Sequence, residues 1–254
     1  MLHFEAVGSG PGLAFLHAGV ADSRMWDFEI ASFAPRFRTI RMDLRGFGRS
    51  PHTPGRFAYH DDVAEILRAA EVSRAALVGC SFGAAVAVDT ALAHPDLVGR
   101  LALVSPAIAE GPSEEMDRFN EEEEALLEKG DLDGATELNL RTWVDGPHRT
   151  PDQIAPGVRE LVRVMQRDAF AMDLPEGVGR VRLDPPAEQR LSEIRVPTLV
   201  VTGALDLPHI LAASEHLTRG IPGARREVIE GAAHLPSLER PEEFRRILEG
   251  FLNV

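Results

Sequence analysis

The run LVGCSFGAAVA, residues 77–87, sets two candidate nucleophiles, Cys80 and Ser81, side by side among small residues. A side chain that must stand clear of a sheet needs a strand, a very sharp turn and a helix, and such a turn crowds its residue against the positions two before and two after. Gly79 and Gly83 hold those positions around Ser81, whereas Val78 and Phe82 would hold them around Cys80. The crowded position therefore belongs to Ser81, with Cys80 as its shoulder. The flanks agree. AALVG, 75–79, reads as a strand covered on both faces because its apolar residues run without a break, and FGAAVAVDTALAHP, 82–95, reads as a helix of small residues able to lie close to a sheet. Taken alone, a G-x-S-x-G run is equally a glycine-rich turn with no chemistry, so the surrounding chain has to decide.

Outward from this turn the periodicity changes character three times. LAFLHA (13–18), FRTIRMDL (37–44) and RLALVSPA (100–107) are short apolar runs bounded by turn residues. They alternate with helical spacing such as YHDDVAEILRAAEV (59–72), where Val63, Ile66, Leu67 and Ala70 share a face and Asp61 and Asp62 suit the positive end of the helix dipole. This alternation predicts βαβ units around a mostly parallel sheet. From about 108 to 195 the strand signals vanish. EEEEALLEKG, GATELNLRTWV and PGVRELVRVMQRDAFAM each carry helical spacing, with Gly or Pro stops between them. VPTLVVTG, HILAASEHLTRG, ARREVIEG and SLERPEEFRRILEGFL then restore the earlier pattern. The predicted organisation is an α/β core, 1–107 and 196–254, interrupted by a helical cap at 108–195. The glutamate run 121–124 predicts a solvated helix face. The stretch before LAFLHA leaves room for one strand, at about 2–7, rather than two.

The 254 residues, 44% hydrophobic, are enough to bury a large core. A formal net charge of −13 and a pI of about 5.2 give no overall basic field, so neither nucleic acid nor a membrane is an expected partner. The lone cysteine cannot form an intramolecular disulfide, and MLHFEAV carries neither a basic nor an apolar leader segment. A cytoplasmic protein is expected. No two histidines have H-x-x-x-H spacing, so no metal is expected.

A serine hydroxyl is a poor nucleophile unless a base lies within hydrogen-bond reach, itself oriented by a carboxylate. Asp206 follows PTLVVTG in VTGALDLP, at the C-terminal end of a predicted strand, where catalytic groups of open sheets gather. His234 lies in IEGAAHLPSLERPEEF, between the last predicted strand and the terminal helix. The chain thus offers Ser, Asp and His in that order.

LAFLHAG (13–19), DLRGFGRS (43–50), GCSFG (79–83), VTGALD (201–206) and GAAHLPSLERPEEF (231–244) together resemble the α/β-hydrolase family over essentially the whole chain. The resemblance implies a mostly parallel sheet of about seven or eight strands flanked by helices, with a helical cap insertion. It makes Ser81 the nucleophile, His234 the general base and acid, and Asp206 the orienting acid. It also implies an oxyanion hole from the N–H of Phe82 and from the turn at Gly19 or Val20. Two departures stand out: His17-Ala18 replaces the usual His-Gly pair, and Cys80 precedes the nucleophile where relatives often carry His or Gln.

The implied activity is cofactor-free hydrolysis, by water, of a small carboxylic ester or lactone. Carbon–carbon bond hydrolysis and perhydrolysis use the same triad, and a small-molecule receptor on this fold is the non-enzymatic alternative. Dehalogenation is disfavoured, since it uses Asp where this chain has Ser81. His17, Cys80, Trp143 and His209 are the candidate pocket residues, with Phe119, Leu140, Val144, Met165, Phe170 and Met172 as further apolar cap surface. His17 is expected to brace the oxyanion turn and His209 to act as wall rather than base. The other histidines are expected at the surface or in packing, and Asp43 and Arg45 are expected to fix a loop.

Overall fold

A computed structural model of the chain describes residues 2–108 and 113–253. Its strands are β1 (Phe4–Val7), β2 (Gly12–Leu16), β3 (Arg38–Met42), β4 (Gly55–Phe57), β5 (Ala75–Cys80), β6 (Val98–Val104), β7 (Val178–Arg180), β8 (Thr198–Gly203) and β9 (Arg225–Ile229). Seven of them form one sheet in the order β1-β3-β2-β5-β6-β8-β9. Only the β1–β3 pair is antiparallel. The continuous apolar runs sit where both faces are covered: β2 and β8 are buried along their whole length, whereas the edge strand β9 is largely exposed.

The helices of the core are α1 (Asp27–Phe33), α2 (Tyr59–Ala69) and α3 (Phe82–Ala93). After β6 come α4 (Glu114–Glu128), α5 (Leu132–Asn139) and α6 (Pro156–Phe170), and after β8 come α7 (Pro208–Gly220), α8 (Pro236–Glu239) and α9 (Pro241–Leu252). Strand side chains alternate between two apolar layers, as the period of two requires. Ala14, Leu16 and Leu77 face a layer with Val63 and Leu67 of α2, Val86 of α3 and Leu217 of α7. Leu13, Phe15, Val78 and Cys80 face the opposite layer, with Phe33 of α1 and Phe244 and Leu248 of α9. Leu140, Val144, Val162 and Met165, from the segment between β6 and β8, extend this second layer.

That intervening segment is an inserted helical subdomain, but it departs from the sequence expectation in three ways. It is not purely helical, because β7 pairs in parallel with β4 as a separate two-stranded sheet. GRF and VGR are too short to carry a period; tertiary contact holds them, with the Arg180 guanidinium 5.0 Å from the centre of the Tyr59 ring and 5.5 Å from that of Phe82. The helix predicted through Trp143 widens into a π-helical turn at Leu140–Asp145. Finally, the glutamate run is not uniformly solvated: Glu121, Glu122 and Glu124 are exposed, but Glu123 is half-buried and accepts a hydrogen bond from Asn139 Nδ2. Residues 109–112, at the start of the predicted cap, lie outside the described residues. Among the described residues no helix is long and apolar enough to cross a membrane.

The second layer also contains an unpaired acid. Glu29 of α1 is 1% exposed, neither carboxyl oxygen has a hydrogen-bond partner, and burial pushes its pKa up to about 8. A raised acid binds more protons folded than unfolded, so its contribution is retained at low pH and lost as pH climbs from the ordinary carboxylate range through about 8. The loss by neutral pH is on the order of 3 kcal/mol. Glu29→Gln has no such proton to lose. Thermal melts between pH 5 and 8 are expected to show the wild-type Tm falling relative to the variant's, and parallel curves would contradict a buried, neutral Glu29.

Candidate active site

The sharp turn at the end of β5 is confined to one residue. Cys80 ends the strand, Phe82 begins α3, and Ser81 between them has φ 53° and ψ −113°, a conformation that costs energy for any residue with a side chain. The turn closes only because its neighbours lack side chains. A Cβ on Gly79 would collide with the carbonyl of Gly83, and one on Gly83 with the carbonyls of Leu16 and His17. Small residues thus let α3 start in backbone contact with β5 and β2. The Ser81 N–H is anchored to the carbonyl of Val104 at 2.8 Å.

Ser81 Oγ lies 2.8 Å from His234 Nε2, and His234 Nδ1 lies 3.1 Å from each carboxyl oxygen of Asp206. A carboxylate can only accept, so Nδ1 carries the proton and donates to Asp206, leaving Nε2 free to accept from the Ser81 hydroxyl. The three residues are 7%, 2% and 1% exposed in the order Ser81, His234, Asp206, which keeps these contacts out of competition with water. Asp206 sits in the loop after β8 and also accepts the Leu207 N–H at 2.8 Å. His234 sits in the loop between β9 and α8.

Two charged residues that the sequence reading did not single out hold the histidine loop. Glu239 of α8 accepts the N–H groups of Ala233 and Leu235, on either side of His234, each at 3.1 Å. Arg149 pairs with Glu239 and donates to the carbonyls of Val144 and Asp145 at 2.7 and 2.9 Å, tying the π-helical turn to the same loop. Glu239 lay within the quoted motif GAAHLPSLERPEEF; Arg149 had no local signal. Trp143 of that turn stacks beside His234, with ring centres 4.6 Å apart.

The Phe82 N–H opens α3 and has no intrahelical partner. Gly19 and Val20 both line a cavity of about 810 Å³ that also reaches Ser81 and His234. Trp143 and His209 line it too, as do Phe119, Phe170 and His52. His52, expected from the sequence at the surface or in packing, is thus a wall residue. Leu140, Val144 and Met165 instead serve the core layer.

His17 and Cys80, two of the candidate pocket residues, do not line the cavity. His17 is fully buried; its Nε2 accepts the Leu44 N–H at 2.9 Å and its Nδ1–H donates to the Ala18 carbonyl at 2.8 Å, so the ring braces the turn from behind. Burial holds it below the usual histidine range, which suits this neutral tautomer. Cys80 faces the layer of α1 and α9 because strand side chains alternate, and its Sγ is 3.8 Å from the His234 carbonyl. Asp43 and Arg45 fix the loop after β3. Burial opposes ionisation of Asp43, yet hydrogen bonds from Ser23 and Arg49 hold it below the usual carboxylate range, and Arg45 makes a two-pronged pair with Asp62 at 2.9 and 2.7 Å. No group of three or more His, Cys, Asp or Glu among the described residues is placed to hold a metal.

A profile of the alpha/beta hydrolase family matches residues 13–247, and the chain belongs to that family. The pimeloyl-[acyl-carrier protein] methyl ester esterase of Chromobacterium violaceum is 29% identical over an alignment of 258 positions that spans 100% of this chain and 98% of that enzyme. Among solved structures, an N-acyl homoserine lactone degrading enzyme is 28% identical with a TM-score of 0.77, covering 98% of this chain and 96% of its own. A thermophilic esterase from Thermogutta terrifontis is 26% identical with a TM-score of 0.75, covering 99% and 93%.

The surroundings of Cys80 give a direct test. Burial pushes its thiol well above the ordinary range, and the side chain is inaccessible. Ellman's reagent is expected to leave the native protein unmodified and to titrate one thiol after denaturation; rapid reaction in the native state would mean that the Cys80 side chain reaches solvent.

Proposed function

We propose that the protein is a serine hydrolase that cleaves small carboxylic esters or lactones through an acyl-enzyme on Ser81. The observation that carries this reading is the 2.8 Å contact from Ser81 Oγ to a His234 that is itself held by Asp206. As Ser81 Oγ attacks the carbonyl carbon, its proton passes to His234 Nε2, and Asp206 stabilises the imidazolium that forms. The Phe82 N–H and an N–H of the Gly19–Val20 turn receive the developing oxyanion. His234 then returns the proton to the departing alkoxide. Water, deprotonated by the same nitrogen, attacks the acyl carbon and frees Ser81. No step needs a cofactor.

The core, residues 1–107 and 196–254, supplies this chemistry, and residues 108–195 act as its cap. The esterase and lactone-degrading relatives support the substrate class. A cavity of about 810 Å³ roofed by Phe119, Trp143 and Phe170 favours compact acyl groups or lactone rings over long lipid chains. The single cysteine, which needs no oxidising compartment, supports a cytoplasmic setting.

A fluorophosphonate probe followed by intact-mass measurement is expected to add one label, lost in Ser81→Ala. That variant should lower turnover of p-nitrophenyl butyrate by several orders of magnitude, on the order of 10⁶ for removal of a serine nucleophile, while Cys80→Ala costs far less. Full activity of Ser81→Ala would overturn the assignment.

A further inference from the structure

Trp143, a residue of the cap, stands against the catalytic base itself. Its ring centre lies 4.6 Å from that of His234, with the two planes inclined by 42°. Two further rings pack on the indole, Phe119 of α4 at 5.6 Å and His209 of α7 at 6.1 Å, each close to perpendicular to it. The backbone that carries Trp143 is fixed relative to the triad as well. Leu140 and Val144, on the same π-helical turn, are fully buried in the core layer. Asp145, 3% exposed, ends the turn and accepts hydrogen bonds from Arg159 at 3.0 and 3.2 Å. Gly146 follows at φ 72°, and a Cβ there would lie 3.2 Å from the Cβ of Ala233 and 3.3 Å from the carbonyl oxygen of Leu205, so this backbone lies against the loops of both His234 and Asp206. With the Arg149–Glu239 pair, these contacts hold the indole in one place beside the imidazole.

The reaction proposed for Ser81 changes the charge of only one of these two rings. His234 accepts from Ser81 in the resting geometry and becomes an imidazolium each time it takes a proton, first from Ser81 and then from the attacking water. A cation within about 6 Å of an indole centre is attracted by the π system, most strongly where water is excluded. The burial of His234 meets that condition. A neutral imidazole gains far less, so the attraction grows as the proton moves and lowers the barrier rather than strengthening substrate binding. The other titratable groups near the ring leave this role open. Asp206 acts at Nδ1, and Glu239 is occupied by Arg149 and by the N–H groups of the loop. Burial keeps the Cys80 thiol protonated and holds His209 below the usual histidine range, so neither adds charge near neutral pH.

We propose that Trp143 is a positioning residue for proton transfer: the cap holds its indole against His234, where it keeps the imidazole directed at Ser81 and stabilises the imidazolium formed in both half-reactions. This rests on Ser81 and His234 acting as described above. It makes the cap part of the catalytic machinery as well as the roof that selects acyl groups.

p-Nitrophenyl acetate tests this, since its short acyl group makes little demand on the roof. In Trp143→Leu, kcat is expected to fall about tenfold with KM changed by no more than about twofold. The acid limb of kcat/KM against pH should move to lower pH, because the protonated ring has lost a stabilising partner. Trp143→Phe restores a π face and should recover most of the rate. A wall residue alone would change KM and leave the acid limb in place. Replacing Trp143 by mono-, di- and trifluorotryptophan keeps its shape while weakening the π face, and carries the test where the leucine variant fails to fold. Along that series log kcat should fall stepwise and the acid limb should move stepwise to lower pH. A flat series, or an acid limb that moves to higher pH, overturns the inference. If the wild type turns over and Ser81 takes the fluorophosphonate label while the series is flat, only the role of Trp143 falls. If the wild type neither turns over nor takes the label, the hydrolase reading itself fails.

Discussion

The backbone of Ser81 is the constraint on which the rest of the structure depends. A residue with a side chain held at φ 53° and ψ −113° costs about 1–3 kcal/mol, and the turn survives only where its surroundings leave no alternative. They do so here by position. β5 lies between β2 and β6, so its hydrogen bonds are satisfied on both sides and its end cannot relax outward. α3 then starts so close to β5 and β2 that only hydrogen fits at Gly79 and Gly83. The small residues of α3 are a consequence of the same closeness, since a helix that begins in contact with the sheet must stay near it.

Parallel topology does the remaining assembly. Because β5, β6, β8 and β9 all run in one direction, the loops leaving β5, β8 and β9 emerge at the same sheet edge. Ser81 and His234, 153 positions apart in sequence, thereby come into hydrogen-bond contact without any local preference for one another. The histidine still needs a rigid loop, and Glu239 provides it by taking the N–H groups on both sides of His234. Arg149 carries this restraint to the cap, so the π-helical turn that presents Trp143 and the loop that presents His234 share a single ion pair. Roof and base are therefore coupled mechanically as well as by proximity.

What could be read from the sequence follows the range of the forces involved. Gly79, Gly83 and the strand before them are local, and they placed Ser81 on steric grounds alone. The central strands were legible as strands because a buried parallel strand needs an unbroken apolar run. β4 and β7 were not legible, for three residues have no period and their pairing is held by Arg180 against Tyr59 and Phe82 from elsewhere in the chain. Glu123 failed for the converse reason. Within EEEEALLEKG it is one of four identical charges, and only the arrival of Asn139 across the helix interface separates it from its exposed neighbours.

The neighbouring Cys80 shows why position overrules intrinsic reactivity. A thiolate is a stronger nucleophile than a serine hydroxyl, yet one step back along the strand turns its side chain to the opposite face, into the layer of α1 and α9. There burial disfavours the thiolate, and Asp206, Glu239 and Glu29 add like-charge repulsion. The acids that orient the histidine and its loop thus suppress the thiol. A single residue of register separates a group held at a strained turn, in contact with base and cavity, from one sealed in the core, and that register is set by Gly79 and Gly83.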